Sequence, residues 1–327
     1  MITLSKAVIN WGVLSTARIG VDSVIPGINK TSNGKVVAIA SRDESKARRV
    51  AQSLGIPKYY GDYLKLLESK EIDAVYISLP NSMHHKWTIL AAKYGKHVLC
   101  EKPLGLNTRE SEEMVAACEK AGVRLCEEFM YRFYPHITKL KELVDDGKIG
   151  KVSLIKSAFT FKLDDPNDIR LNKELGGGSL YDVGCYCVNF SRLIAGCEPV
   201  KVQATAHVHK NGVDDVFVGI MQFPNDEVAV FDSGFQTMTR HSVEVLGEKG
   251  TLEVAAAFEP ALVKPEIISR TNDKTEIINC ENVDPYSLLA EDFADSVLSN
   301  REQRYSVSDT LSNMRALDML YNSVGLP

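Results

Sequence analysis

The segment GGGSLYDVGCYCVNFSRL, residues 176–193, places three polar side chains on one face of a helix. Asp182, Tyr186 and Asn189 recur at i, i+4 and i+7, while Leu180, Val183, Cys187, Phe190 and Ile194 fill the rest of the buried surface. A polar stripe on an apolar helix needs partners or a ligand, since an unpaired polar group buried there costs about 1–3 kcal/mol. A carboxylate, a phenol and an amide in a row suit recognition of hydroxyl groups; a closed structural network is the other reading. The preceding Gly176–Gly178 let the backbone approach something closely.

A second group lies in GKHVLCEKPLGLN, where Glu101 and Lys102 follow directly on an apolar strand. A lysine there is either functional or simply solvated, as most lysines are. A third group is INWGVLSTARIGVDSV, residues 9–24, which starts as a buried strand and ends as a helix. Ser15, Thr16, Ala17, Arg18 and Ile19 form the turn where a dinucleotide-binding loop carries glycines, and Gly20 alone is retained. Small residues such as Ser15 and Ala17 can replace glycine if the backbone keeps φ negative. A phosphate would then rest on N–H groups of a helix opening at Ile19. An ordinary strand-to-helix turn has the same pattern. At the end of the next strand, IASRDES puts Ser41 and Arg42 where an adenosine ribose would lie. A hydroxyl beside a bidentate guanidinium suits the 2′-phosphate of NADP. Arg42 as a solvated helix-start residue is the plain alternative, and Asp43 keeps NAD use open.

These residues need elements to hold them. Through residue 128, apolar runs (AVINWGVL, KVVAIAS, DAVYISLP, HVLCEKP, VRLCEEF) alternate with amphipathic stretches, closed at Gly55 and Gly95 and opened at Asn107 or Thr108. The rhythm predicts an α/β Rossmann sheet, parallel and covered on both faces, with ligands at the strands' carboxyl ends. Beyond residue 129, strand candidates follow one another at 151–163, 200–210, 213–224, 227–237 and 240–254. Residues 224–226, Pro-Asn-Asp, read as a hairpin connection. This predicts an α+β domain with a large, open-faced, mostly antiparallel sheet, interrupted by one helix near 178–196 and followed by two near 286–299 and 308–322. The expected domains are 1–128 and 129–327, with the terminal helices packing back on the first.

Bulk properties exclude several classes. With 327 residues, 44% hydrophobic residues and a net charge of −5, nothing suggests nucleic acid or an anionic membrane as partner. No apolar run reaches the roughly 20 residues that span a bilayer, and the start of the chain lacks a secretory layout. Seven cysteines do not read as a disulfide framework. Cys185 and Cys187, the only close pair, fall short of a metal site and read as packed thiols. A reducing cytoplasm and no metal are expected. An open sheet must cover its exposed face, so a homodimer or homotetramer through that sheet is expected.

The combination LPNSMHHKWTILAAKYGKHVLCEKPL with EEFMYRFYPH resembles the glucose–fructose oxidoreductase, inositol dehydrogenase and rhizopine-catabolism (Gfo/Idh/MocA) family, along essentially the whole chain. The resemblance implies NADP as cofactor, with Lys102 beside nicotinamide and substrate and a cis bond between Lys102 and Pro103. Leu79, Pro80, Asn81, His84, Glu101 and Arg132 would line the cofactor, with a satisfied helix-cap histidine as the plain alternative for His84. Many relatives carry D-x-G-x-H where this chain has Tyr186. That departure resembles the subgroup of glucose–fructose oxidoreductases, dimeric dihydrodiol dehydrogenases and NADP-dependent pentose dehydrogenases. It implies that Tyr186 transfers the proton, with Asp182 placing substrate hydroxyls and Arg170 and Asn189 near them; a loop salt bridge explains Arg170 as well. A free tyrosine titrates near about 10, so it needs an ammonium such as Lys102 to act as a base at neutral pH. The expected function is an aldose 1-dehydrogenase of the D-xylose or D-glucose type that yields a lactone. The alternatives are a ketosugar reductase, a trans-dihydrodiol dehydrogenase, or a catalytically silent NAD(P)-sensing regulator.

Overall fold

The computed structural model describes residues 8–259 and 265–326, so Ala7 of the first apolar run lies outside the described residues. The chain divides into two compact units, Met1–Met130 with Asp284–Leu311, and Tyr131–Val283 with Ser312–Pro327.

The first unit holds six parallel strands: β1 (Ile9–Leu14), β2 (Gly34–Ala40), β3 (Lys58–Tyr60), β4 (Ala74–Ile77), β5 (His97–Cys100) and β6 (Leu125–Glu127). Their order is β3-β2-β1-β4-β5-β6, so the winding reverses between β1 and β4. Ligands of such sheets bind outside the carboxyl ends at that reversal. The helices are α1 (Ile25–Lys30), entered through a π turn at Gly20–Val24, α2 (Glu44–Leu54), α3 (Tyr63–Leu67), α4 (Asn81–Lys93) and α5 (Thr108–Ala121). Two of their ends carry the expected signals, with Gly55 closing α2 at φ 66° and Asn107 capping α5 by accepting a main-chain N–H. Asp43 caps α2 in the same way, and Gly122 closes α5 at φ 66°. Leu14, Val75, Ile77, Trp87, Val98, Met114 and Leu125 share one buried cluster. Truncating one of its larger members to alanine costs about 2–5 kcal/mol.

The second unit begins with α6 (Pro135–Asp145) and β7 (Val152–Lys162). A π turn at Leu180–Gly184 leads into α7 (Cys185–Ala195). Eight strands follow: β8 (Lys201–Val208), β9 (Asp214–Gln222), β10 (Val228–Gly234), β11 (Gln236–Arg240), β12 (Val243–Gly247), β13 (Gly250–Val254), β14 (Glu266–Thr271) and β15 (Thr275–Asn279). The sheet order is β15-β14-β13-β12-β7-β10-β9-β8, with β11 also on β7. Pairing is antiparallel except between β7 and β10. The Pro-Asn-Asp turn joins β9 to β10 as expected. Residues 240–254 form a hairpin rather than one strand, because the chain reverses between the paired Gly247 and Gly250. The sequence reading anticipated neither α6, the short β3 and α3, nor the β14–β15 hairpin. One face of the sheet packs on α7. The other forms a trough of about 770 Å³, lined by Val216, Val218, Val230 and Val254 among charged neighbours.

The chain then returns to the first unit with α8 (Pro285–Leu298). Trp11 and Phe293 meet at 5.2 Å between ring centres. Gly27 allows the close approach of α1, since a Cβ there would lie 2.8 Å from that of Tyr286. The last helix, α9 (Val307–Ser323), starts in the first unit and continues in the second. Among the described residues no helix is long and apolar enough to cross a membrane.

Candidate functional site

In the first unit the predicted cofactor residues gather at the carboxyl ends of β1, β2, β4 and β5. The β1 turn corrects one expectation: Ser15 adopts φ 122°, not a negative value. Such a conformation costs a residue with a side chain about 1–3 kcal/mol. Ser15 is held by its N–H, which donates to Ala40 O, and by its Oγ, which accepts from Ala17 N, both at 3.0 Å. Thr16 and Ala17 complete the turn, and Arg18 and Ile19 are exposed in the first helical turn. No side chain caps the π turn at Gly20–Val24. The N–H groups that lead the helix ahead of it, at Arg18 and Ile19, lie at the positive end of the helix dipole and suit an anion, whereas Val21 N already donates to Ala17 O at 3.1 Å.

Gly20 packs closely, since a Cβ there would lie 3.2 Å from the Tyr76 ring and 3.3 Å from Ser78 Oγ, tight contacts that a small shift of the neighbours would relieve. The Ser78 hydroxyl is buried and has no hydrogen-bond partner. At the end of β2, Ser41 Oγ accepts from Asp43 N at 3.2 Å, and Arg42 is exposed. Burial pushes the Tyr63 phenol up, and the neighbouring Arg42 guanidinium draws it partly back. The uncapped helix start, the orphaned hydroxyl and the exposed guanidinium fit a phosphorylated dinucleotide.

The β4 turn runs through Leu79, Pro80 and Asn81 into α4. His84 is fully buried, with Nδ1 2.9 Å from Pro103 O and Nε2 2.9 Å from Leu79 O. Burial pushes its pKa down. Both ring nitrogens therefore face main-chain carbonyls, and the ring ties the Leu79 turn to the loop after β5. The Lys102–Pro103 peptide in that loop is cis. Glu101 is buried beneath it and accepts from Tyr76 Oη through Oε1 at 2.5 Å. Two groups that sequence reasoning missed complete this end, the adjacent buried Glu127 and Glu128. Glu127 accepts from Leu104 N at 2.9 Å and from Tyr305 Oη at 3.3 Å. Burial raises its pKa to about 8. The signal was present, since consecutive residues of a strand covered on both faces cannot both reach water.

In the second unit, Tyr186 lies among the rings of Tyr131, Phe159 and Phe258, at 5.4–5.7 Å between centres. It keeps 8% of its surface exposed. Asp182 Oδ2 accepts from Arg170 Nε at 2.7 Å, and Arg170 Nη1 also bridges Asp168 at 3.3 Å. The Asp182 charge is the main cause holding the Arg170 guanidinium above its ordinary pKa. Asp182 belongs to the π turn, so uniform α-helical winding does not extend across the stripe. Asn189 is fully buried, and its Oδ1 accepts from Tyr131 Oη at 2.5 Å and from Arg132 Nη1 at 3.2 Å. It thus anchors the Tyr131–Arg132 turn, and Arg132 belongs to this unit. Sequence reasoning also missed Asp214. Its carboxylate accepts from Ser179 Oγ, Leu180 N and Tyr321 Oη at 2.7–2.8 Å, capping the helix that carries Asp182 and Tyr186.

Two family models match, one for an oxidoreductase family with an NAD-binding Rossmann fold over residues 9–129, the other for the GFO/IDH/MocA C-terminal domain over 137–253. D-xylose 1-dehydrogenase (NADP(+)) 2 of Haloferax volcanii is 39% identical over 96% of both chains. A trans-1,2-dihydrobenzene-1,2-diol dehydrogenase of Xenopus laevis is 34% identical over 75% of this chain and 74% of that one. Among solved structures, a 3-ketoreductase of Actinomadura kijaniata with NADP and TDP-benzene superposes with a TM-score of 0.92 at 28% identity, covering 97% of this chain and 98% of that one. That enzyme has also been solved with single substitutions at a tyrosine and at a lysine. An aldose–aldose oxidoreductase of Caulobacter crescentus with glycerol reaches 0.91 at 27% identity and the same coverage.

Proposed function

Because the chain belongs to the GFO/IDH/MocA oxidoreductase family, we propose that it transfers hydride between a sugar or cyclic polyol and NADP, as an aldose 1-dehydrogenase of the D-xylose or D-glucose type. The observation that carries this reading is the 39% identity with an NADP-dependent xylose dehydrogenase along 96% of both chains.

In the turn from Ser15 to Ile19 the main-chain N–H groups of Thr16, Arg18 and Ile19 would hold the pyrophosphate, those of Ser15 and Ala17 being taken by Ala40 O and Ser15 Oγ, and Ser41 with Arg42 would hold the adenosine ribose and its 2′-phosphate. Leu79, Pro80, Asn81, Glu101 and Lys102 would form the wall nearest the nicotinamide. His84 acts through the two turns it ties together. When bound, the nicotinamide accepts or donates the hydride. The protein's own residues handle the proton. Tyr186 Oη takes the proton of the anomeric hydroxyl, and Lys102 Nζ supplies the cation that makes a phenol competent near neutral pH. Asp182, fixed by Arg170, orients the substrate hydroxyls, and Asn189 and Arg132 hold Tyr131 against the Tyr186 ring. The lysine and tyrosine substituted in the ketoreductase are the residue types of this pair.

Ile220, Val208 and Met238 are exposed on the second sheet, and Ile220 continues the row of Val216 and Val218 in the trough. A second copy of the chain covering that face makes a homodimer or homotetramer, which sedimentation at micromolar concentration reads directly. All seven cysteines are free thiols, which suits a cytoplasmic enzyme.

The test is spectrophotometric: NADP+ and NAD+ reduction with a panel of aldoses, cyclic polyols and trans-dihydrodiols. Turnover of an aldose with NADP+ supports the reading. Preference for a dihydrodiol moves the enzyme toward the relatives of that name, and cofactor binding without turnover makes it a sensor. Tyr186→Phe and Lys102→Ala are each expected to lower kcat by about 10²–10⁴-fold with the fold intact. Near-normal turnover of either variant removes that residue from the role.

A further inference from the structure

Glu101 and Glu128 occupy neighbouring rungs at the carboxyl end of the first sheet. The Glu101 N–H donates to Ile77 O at 3.0 Å, and the Glu128 N–H donates to Cys100 O at 2.8 Å. The register Tyr76–Leu99–Cys126 fixes the alternation across β4, β5 and β6. Counting two residues onward from Leu99 and Cys126 puts both glutamates on the Tyr76 face of the sheet, on strands about 4.8 Å apart. The Tyr76–Glu101 hydrogen bond agrees with that placement.

Both side chains are more than nine-tenths buried, and Glu128 Oε1 has no hydrogen-bond partner. Two carboxylates on neighbouring strands and on one face of the sheet, out of water, resist ionising together. Burial, and next the Glu101 charge, push the Glu128 carboxyl well above the ordinary range, while Lys102 pulls the other way. The facing groups are Tyr76 from β4, Lys102 from the loop after β5, Glu127 from β6 and Tyr286 from α8. Tyr76 is driven well above its usual pKa by burial and then by Glu101, so it keeps its own proton and donates only a hydrogen bond to Glu101.

We propose that Glu101 and Glu128 share a single proton at working pH, and that the one negative charge they retain keeps Lys102 an ammonium. Glu128 is then a positioning residue for that lysine. The Lys102 half rests on the function proposed above; the shared proton does not.

Infrared difference spectroscopy of the full chain at neutral pH reads the C=O stretch of a protonated carboxylic acid. Glu101→Gln and Glu128→Gln should each remove one such band, because the carboxyl left behind is freed to ionise. Glu127, raised to about 8, contributes a band of its own that Glu127→Gln assigns; a further band that survives Glu101→Gln means that Glu128 is neutral by itself, and it overturns the sharing. Empty difference spectra for both variants overturn it too. The unsubstituted protein, labelled with ¹³C at its glutamate carboxyls, needs no variant to fold. The two resonances should move together through two titration steps, and independent movement overturns the proposal. For the lysine, Glu101→Gln/Glu128→Gln should displace the corresponding limb of the kcat–pH profile downward by about one unit or more. An unmoved limb overturns the Lys102 half. A protein that turns over no sugar removes that half together with the proposed function, while the infrared result still decides the shared proton.

Discussion

Two helices of this protein open through a π turn, Gly20–Val24 in the first unit and Leu180–Gly184 in the second, and they treat their exposed N–H groups in opposite ways. The first start has no side-chain cap and follows a turn bent around Ser15 at φ 122°. The second is closed by Asp214, whose carboxylate takes Ser179 Oγ and Leu180 N and is itself held by Tyr321. A helix start can serve an external anion or an internal one. Here one start is left without a side-chain cap, which is where the proposed phosphate site lies, and the other is fixed from within by the Asp214 carboxylate at the turn that carries Asp182.

The comparison is easiest to break at the glycines. A Cβ on Gly178, at φ 123°, would lie 2.4 Å from Asp214 Oδ1 and 2.8 Å from Tyr321 Oη. Gly178→Ala should therefore cost about 3–4 kcal/mol in denaturant unfolding, combining overpacking with a disfavoured φ. Gly20→Ala meets only the 3.2–3.3 Å contacts with Tyr76 and Ser78, and gains helix propensity. Its stability should change by less than about 1 kcal/mol, while its KM for NADP+ rises. Equal destabilisation of the two variants would erase the distinction between a closed and an open start.

The buried acids add a dependence on pH. Burial raises both Asp214 and Glu127 despite the hydrogen bonds each accepts, and it drives Glu127 from 4.5 in the unfolded chain to about 8 in the fold. The fold therefore prefers Glu127 protonated. Its contribution is complete below pH 4.5, is lost progressively as pH rises toward 8, and is constant above that. Denaturant midpoints measured across this window should fall with rising pH, and Glu127→Gln should flatten that slope. The smallest effect is at Ser15. Ser15→Ala keeps the strained φ and loses the Oγ bond to Ala17 N, for a cost of about 1 kcal/mol. Ser15→Gly relieves the strain and offsets that loss, so a midpoint no different from that of Ser15→Ala would argue against strain at the open turn.

Much of this was legible from residue pattern because it is local. Asn107 and Gly55 mark helix ends by their own chemistry, and the apolar runs that became β1, β2, β4 and β5 carry the mark of strands covered on both faces. Residues whose partners lie far along the chain were not legible. Asn189 reads as part of a polar stripe with no hint of its bonds to Tyr131 and Arg132, 58 and 57 residues away, whereas the salt bridge that the sequence allowed for Arg170 finds Asp168 and Asp182 close by in the chain. The i, i+4 spacing assumes α winding, which the π turn around Asp182 breaks. Residues 240–254 look like one strand because a two-residue reversal at Glu248–Lys249 lacks the Asn-Gly or Asp-Gly that usually announces it. Glu127 and Glu128 hid at the end of an apolar run, where charge normally signals solvent.

The nucleotide-binding half of this protein is not a detachable cassette. The polypeptide passes between the two units three times, after Met130, after Val283 and after Leu311, and α8 supplies the Phe293 that covers Trp11. A fragment ending at residue 130 would expose that indole and leave Gly27 facing nothing, so transplanting this half onto another catalytic scaffold means carrying residues 284–311 with it, in a circularly permuted gene if they are to stay contiguous.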